Sequence, residues 1–66
     1  MSLKDEILPK RQVSTEYGIP ENTLSYWRAM GTGPKSAKLG RRVVYRRSDV
    51  EAWIDAQFAA EDKELA

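Results

Sequence analysis

Neither cysteine nor histidine occurs in the 66 residues of the chain. Domains this short often depend on disulfides or a Cys/His zinc site, because they bury only about 60% of the surface that the unfolded chain exposes. Here packing alone must stabilise the fold, and an apolar fraction of 41% predicts one compact domain over residues 1–66. Since no thiol, imidazole or large cleft is present, we expect no enzyme, no cofactor, no metal and no small-molecule ligand.

The lack of cysteine also fits a reducing cytoplasm. Residues 1–6 are polar with mixed charge, and no apolar run approaches the roughly 18–20 residues that a membrane helix needs. We therefore expect a cytoplasmic protein with no membrane partner.

Charge is distributed unevenly along the chain. Residues 1–21 sum to −1, residues 22–48 carry seven Lys and Arg without an acid, and residues 49–66 sum to −5. A cationic block of this density favours a polyanionic partner such as double-stranded DNA. The alternative is that these charges merely solvate a small surface.

The spacing of apolar residues and turn residues predicts a short first helix. Proline is favoured at a first helical position, so we place the start at Pro9. Val13 and Tyr17, four residues apart, give the helix one apolar face, and Gly18 supplies the residue that ends it.

A second helix is predicted to open at Pro20. Leu24 and Trp27 lie three apart on one side of it, and the glycines and proline of residues 31–34 end it. The two helices are therefore joined by a tight turn.

Residues 35–47 change to an alternating, β-branched pattern that is typical of a hairpin, with a basic tip at residues 40–42. Ser48 and Glu51 form a capping-box pattern, which predicts the start of a third helix at Ser48. Four apolar residues at helical spacing are expected on its inner face: Val50, Trp53, Ile54 and Phe58. Beyond them, residues 59–66 lose the apolar stripe, and we expect this tail to fray.

Helix, tight turn, helix, hairpin, helix is the order of a winged helix-turn-helix, mainly α with a small β-hairpin (α-α-β-β-α). In that arrangement the second helix enters the major groove and the wing reaches the backbone or minor groove.

Residues 18–28 (GIPENTLSYWR) and residues 38–54 (KLGRRVVYRRSDVEAWI) carry a resemblance to a known family. They resemble the small excisionases and prophage regulators of the MerR-like winged-helix type, over roughly residues 7–58. The sequence departs from that pattern at Pro20, where the family often has a Ser or Thr cap, and at Val44, where a basic residue is common.

The resemblance implies an accessory factor that bends attachment-site DNA and directs an integrase toward excision, in the cytoplasm of a bacterial host cell. A small transcriptional regulator of a prophage or mobile element shares the fold and stays an alternative.

The face of the second helix opposite Leu24 and Trp27 is the candidate base-reading surface. Its hydrogen-bonding members suit base edges, since Asn pairs with adenine and Ser with either base type. The outward set is Asn22, Ser25, Tyr26 and Ala29, with Thr23 and Arg28 on the flanks. Glu21 either accepts from cytosine or complements the helix dipole. An ordinary solvated helix face is the alternative for the whole set.

Arg41 and Arg42 are predicted to lie at the wing tip, where they clamp phosphates or enter a narrow minor groove unless the tip is a simple solvated turn. Further basic residues are expected to flank the same surface: Lys10, Arg11, Lys35, Lys38, Arg46 and Arg47. Arg46 has a second interpretation as the partner of an acid in the last helix. The aromatic residues Tyr17, Trp27, Tyr45 and Trp53 are expected in the core.

One such module buries only about 600–1,000 Å² of protein surface on DNA, which is little for tight specific binding. We therefore expect a free monomer that self-associates on direct repeats, through contacts between its acidic helix end (Asp55, Glu61, Asp62 and Glu64) and a neighbour's basic surface. A protein-interaction module that docks this acidic helix on a basic partner is the alternative from another class.

Overall fold

The computed structural model of the protein describes residues 6–65, with side chains as far as Asp62. Its elements in chain order are β1 (Ile7–Pro9), α1 (Lys10–Tyr17), α2 (Glu21–Met30), β2 (Ser36–Leu39), β3 (Arg42–Arg46) and α3 (Arg47–Leu65). The predicted winged helix-turn-helix is confirmed, and one strand is added before the first helix.

The first element of the structure is strand β1, whereas the sequence predicts a helix starting at Pro9. It pairs antiparallel with β3, with Leu8 opposite Tyr45, and β3 is the central strand of the order β1-β3-β2. Pro9 ends the strand in extended backbone (φ −67°, ψ 156°) and is the N-cap of α1, so the helix begins one residue later than predicted. Pro20 likewise precedes α2 as its N-cap.

The two helices end as predicted, because Gly18 and Gly31 follow them in left-handed backbone. The Gly18 amide donates to the Ser14 carbonyl at 3.0 Å, and the Gly31 amide donates to Arg28 at 3.2 Å. These caps fix the short connection that orients α2 against α1.

The core takes one fully buried side chain from each of five elements: Leu8, Val13, Leu24, Tyr45 and Val50. Tyr17 and Trp27 pack against this cluster, as predicted. Trp53 is half-buried and contacts Trp27, with ring centroids 4.9 Å apart. Burial raises the pKa of the Tyr45 hydroxyl. All five elements therefore meet at one centre, which holds α2 and the hairpin in fixed relation.

Arg47, expected among the flanking basic residues, is held by intramolecular partners in what we call the Arg47 clamp. Its guanidinium donates to Glu6 at 2.8 Å, to Glu16 at 3.0 Å and to the Tyr17 hydroxyl at 2.9 Å. The Tyr17 hydroxyl in turn donates to Glu51 at 2.8 Å. Hydrogen bonds from Gln12 and then Arg47 hold the pKa of the Glu16 carboxyl below its usual value. The clamp joins the segment before β1, helix α1 and the start of α3.

Helix α3 follows β3 directly and begins at Arg47, one residue before the predicted start. Val50 is buried and Ile54 packs on the core, as predicted. The prediction for Phe58 is wrong, since its side chain is 69% exposed. All described side chains from Asp55 to Asp62 are exposed, so this part of the helix extends beyond the core. The helix continues to Leu65, and fraying of residues 59–66 stays a prediction, with Ala66 outside the described residues.

Candidate nucleic-acid interface

The outer face of α2 presents small polar side chains to solvent. Leu24 is buried and Trp27 is half-buried, and together they fix the rotation of the helix about its axis. Asn22 and Ser25 are exposed on the opposite side, and Tyr26 is 62% exposed. Ala29 and Arg28 are also exposed, whereas Thr23 is half-buried. The predicted orientation is therefore present, with hydrogen-bonding groups free to reach base edges.

Lys10 connects the start of α1 to this face. Its ammonium group donates a hydrogen bond of 2.8 Å to the hydroxyl oxygen of Ser25. An ammonium group only donates, so the Ser25 oxygen is the acceptor and the Ser25 hydroxyl proton stays available to a further acceptor. The Ser25 hydroxyl on this face is therefore a hydrogen-bond donor.

An open groove of about 740 Å³ lies between α1, the start of α2 and the wing. It is lined by Pro9, Lys10, Arg11, Gln12, Thr15, Glu21, Arg41, Arg42 and Val43. We call this depression the basic groove, because four cations face a single carboxylate in it. Its five charged residues lie up to 32 positions apart in the sequence, and the fold brings them to one surface. They are Lys10, Arg11, Glu21, Arg41 and Arg42. A polar, cationic depression beside an exposed helix is suited to a phosphate backbone.

A family model described as a helix-turn-helix domain matches residues 11–57, more than two thirds of the chain. The chain belongs to this helix-turn-helix family. The matched span runs from the first helix through the hairpin into α3, and so contains α2 and the wing. Neither a curated protein nor a solved structure matches the chain. A helix-turn-helix domain indicates DNA binding.

The wing of this helix-turn-helix domain has a tighter tip than predicted. Leu39 pairs with Arg42 across the hairpin, which leaves Gly40 and Arg41 as a two-residue loop. Arg41 therefore lies in the turn, and Arg42 is the first residue of β3. Both side chains are exposed and reach the basic groove. Neither has an ion-pair partner within the described part of the chain, so both charges are available to phosphates.

The other predicted site residues lie outside the basic groove. Arg28 donates to the Ser36 hydroxyl at 3.1 Å and so connects α2 to β2. Lys38 is exposed and pairs with Val43 in the hairpin register. Lys35 and Arg46 line a different depression, on the sheet. Arg46 donates to Asp49 at 2.7 Å, which confirms its second interpretation as the partner of an acid in the last helix.

Two polar residues of α1 that the sequence analysis did not select also line the basic groove. They are Gln12 and Thr15. Thr15 lies four residues after Arg11, on the helix side opposite the apolar pair Val13 and Tyr17. The helical spacing from Arg11 was the available signal for this residue.

No helix between residues 6 and 65 is long and apolar enough to span a membrane. Within the same range, no group of acidic side chains is arranged to hold a metal ion.

Proposed function

We propose that this helix-turn-helix protein is a sequence-specific DNA-binding factor of excisionase type that performs no chemistry itself. It bends attachment-site DNA in a bacterial host cell and directs an integrase toward excision. The main support for the proposed DNA-binding surface is the position of Lys10. This residue lines the basic groove and also donates a hydrogen bond to Ser25 on the outer face of α2. Helix face and groove are therefore one continuous surface, as a bound duplex requires.

In this proposal α2 lies in the major groove with Asn22 and Ser25 toward the bases. The wing then brings Arg41 to the neighbouring phosphates or minor groove, while Lys10 and Arg11 contact the backbone from the start of α1. Glu21, at the start of α2 and in the basic groove, is the one carboxylate placed to accept from a cytosine amino group. Base contacts supply the sequence preference, and the four groove cations supply affinity that is independent of sequence.

The division of labour between helix and wing is testable once a preferred site has been selected from random duplexes. Asn22→Ala and Ser25→Ala should each weaken the selected site by about 1–3 kcal/mol and relax base preference at one position. Arg41→Ala should weaken selected and scrambled duplexes by the same factor, because it contacts phosphate. Affinities are measured by fluorescence anisotropy.

Gln57→Ala is the matched control, since Gln57 is an exposed polar residue of α3 away from this surface. It should leave both duplexes unchanged. An Arg41→Ala variant that loses only the selected duplex would reverse the assigned roles.

The excisionase role itself is tested by recombination. The genes that neighbour this protein's gene are searched for an integrase, and that integrase is supplied with a plasmid carrying its two attachment sites, with and without the protein. Excised circles that form only when the protein is present support the proposal. Unchanged excision, together with altered transcription from an adjacent promoter, would favour the prophage regulator.

A further inference from the structure

The outer face of the sheet carries an exposed apolar depression that is separate from the basic groove. In the strand register Ala37 lies opposite Val44, and Ile7 and Leu39 are on the same face. Ile7 is 48% exposed and Leu39 is 57% exposed. These four side chains line a depression of about 330 Å³, which we call the sheet groove. Its rim is formed by Lys35, Arg46 and Asp49.

A second exposed apolar side chain lies on the projecting end of α3. Phe58 is 69% exposed, the largest fraction among the exposed large apolar residues of the described chain. Three carboxylates share its face of the helix, because Asp55, Glu61 and Asp62 stand three before, three after and four after it. We call this set the acidic ridge. The side chain of Glu64, also predicted to take part in self-association, lies outside the described side chains.

We propose that the acidic ridge of one copy docks in the sheet groove of a second copy. The Phe58 ring fills the apolar floor between Ile7 and Leu39. The carboxylates of the ridge meet Lys35, which has no ion-pair partner within the described residues, and Arg46, whose pairing with Asp49 leaves part of its guanidinium unused. The inference rests on the proposed function in one respect, since consecutive DNA sites bring the copies together.

A second copy is the occupant that the charges favour. The rim of the sheet groove carries Lys35 and Arg46 against Asp49 and is net positive, whereas the acidic ridge carries three carboxylates, so copies attract in this orientation and repel ridge to ridge. The chain's own ridge is exposed and lies eleven residues after the start of α3, roughly 16 Å along the helix axis. It is therefore presented outward to a neighbour.

The contact joins two different surfaces, so it is heterologous and extends head to tail without closing. It is also small, because one aromatic side chain and a few charges bury far less than the roughly 1,200–2,000 Å² of a stable complex. Free protein should therefore be a monomer, and the contact should add affinity only where adjacent DNA sites raise the local concentration.

Paramagnetic relaxation tests the contact without DNA. Since the chain has no cysteine, Ala60→Cys gives a single attachment point for a nitroxide beside Phe58. Labelled protein is mixed with an equal amount of isotope-labelled, unmodified protein at millimolar concentration. The amide signals of Ile7, Ala37 and Leu39 should broaden, and adding Phe58→Ser to the nitroxide copy should abolish this effect.

Met30→Ser is the matched control, because Met30 is 60% exposed yet belongs to neither surface. When it is introduced into the nitroxide copy, broadening should persist. Broadening confined to α3 would overturn the proposal in favour of a ridge-to-ridge contact, and no intermolecular broadening at all would remove the contact.

DNA carrying one or two copies of a selected site gives a second, independent readout. The second copy of the unmodified protein should bind about tenfold more tightly than the first. Phe58→Ser and Leu39→Ser should each abolish the gain without changing affinity for one site, and an equal mixture of the two variants should recover part of it. Equal affinities at both sites would overturn this inference alone, whereas failure to bind a single site would overturn the proposed function.

Discussion

Replacing Gly33 with alanine should destabilise the domain by about 2–4 kcal/mol. Gly33 has φ +78°, and a Cβ at this position would lie 2.8 Å from Cβ and 3.0 Å from Cε3 of Trp27. The nearer atom is fixed to the backbone of α2, so the clash is relieved only if the helix or the loop moves. A core this small supplies roughly 3–5 kcal/mol in total, so most of the folding free energy would be lost.

Gly31→Ala separates the clash from the backbone cost. Gly31 has φ +75°, almost the same conformation, but no atom lies within 4 Å of its added Cβ. Its loss should be only about 1–2 kcal/mol, the cost of the left-handed conformation. Urea unfolding followed by tryptophan fluorescence measures both variants. Equal losses at the two glycines would show that the approach to Trp27 is unimportant for stability.

This close approach also constrains how the connection between α2 and the hairpin positions the proposed DNA-binding surface. Trp27 packs on the core from α2 and contacts Trp53 of α3, and Gly33, three residues before β2, approaches the same Trp27 side chain. The angle between α2 and the wing therefore depends on a residue with no side chain. Partly folded Gly33→Ala protein should lose DNA affinity beyond its unfolded fraction, because the helix and the wing no longer match one duplex.

The elements with local signals were predictable from the sequence. Gly18 and Gly31 end helices by a conformation that needs no distant partner, and the Gly40 turn joins β2 to β3, two strands that are adjacent in the sequence. Winged helix-turn-helix topology followed from the order of these elements. The inward positions of Leu24 and Trp27 followed from their helical spacing, which also fixed the outward face of α2.

The elements that depend on distant contacts were not predictable. Strand β1 is three residues long and is defined by pairing with β3, which begins more than thirty residues later. Phe58 follows Ile54 at helical spacing, but it lies on the part of α3 that extends beyond the core. The spacing of apolar residues alone does not show where along a helix its contact with the core ends. Arg47 belongs to the cationic block in sequence, yet Glu6 and Glu16 capture it in the fold.

The sequence predicts one surface for the cationic block, whereas the fold divides it, with cations in two separate depressions. Arg41 and Arg42 reach the basic groove with α1, while Lys35 and Arg46 line the sheet groove. The net charge of a segment does not tell on which face of the fold each cation lies. That is decided by the turn of the wing and by the strand register.

The salt dependence of DNA binding should reveal this division. If the four cations of the basic groove each neutralise one phosphate, the logarithm of affinity should fall against the logarithm of salt with a slope of about −3.6. Between about 50 and 200 mM salt, affinity for a duplex should then fall by roughly 150-fold. A flat dependence would contradict DNA as the ligand and favour the protein-interaction module.

Arg41→Ala and Lys35→Ala are a matched pair for the same titration, since each removes one exposed cation. Arg41 lines the basic groove, so its loss should make the slope shallower by about one. Lys35 lines the sheet groove, so its loss should leave the slope on a single site unchanged and reduce only the gain on two adjacent sites. A slope that becomes shallower by the same amount in both variants would place the sheet face against DNA, and would leave the acidic ridge without its partner surface.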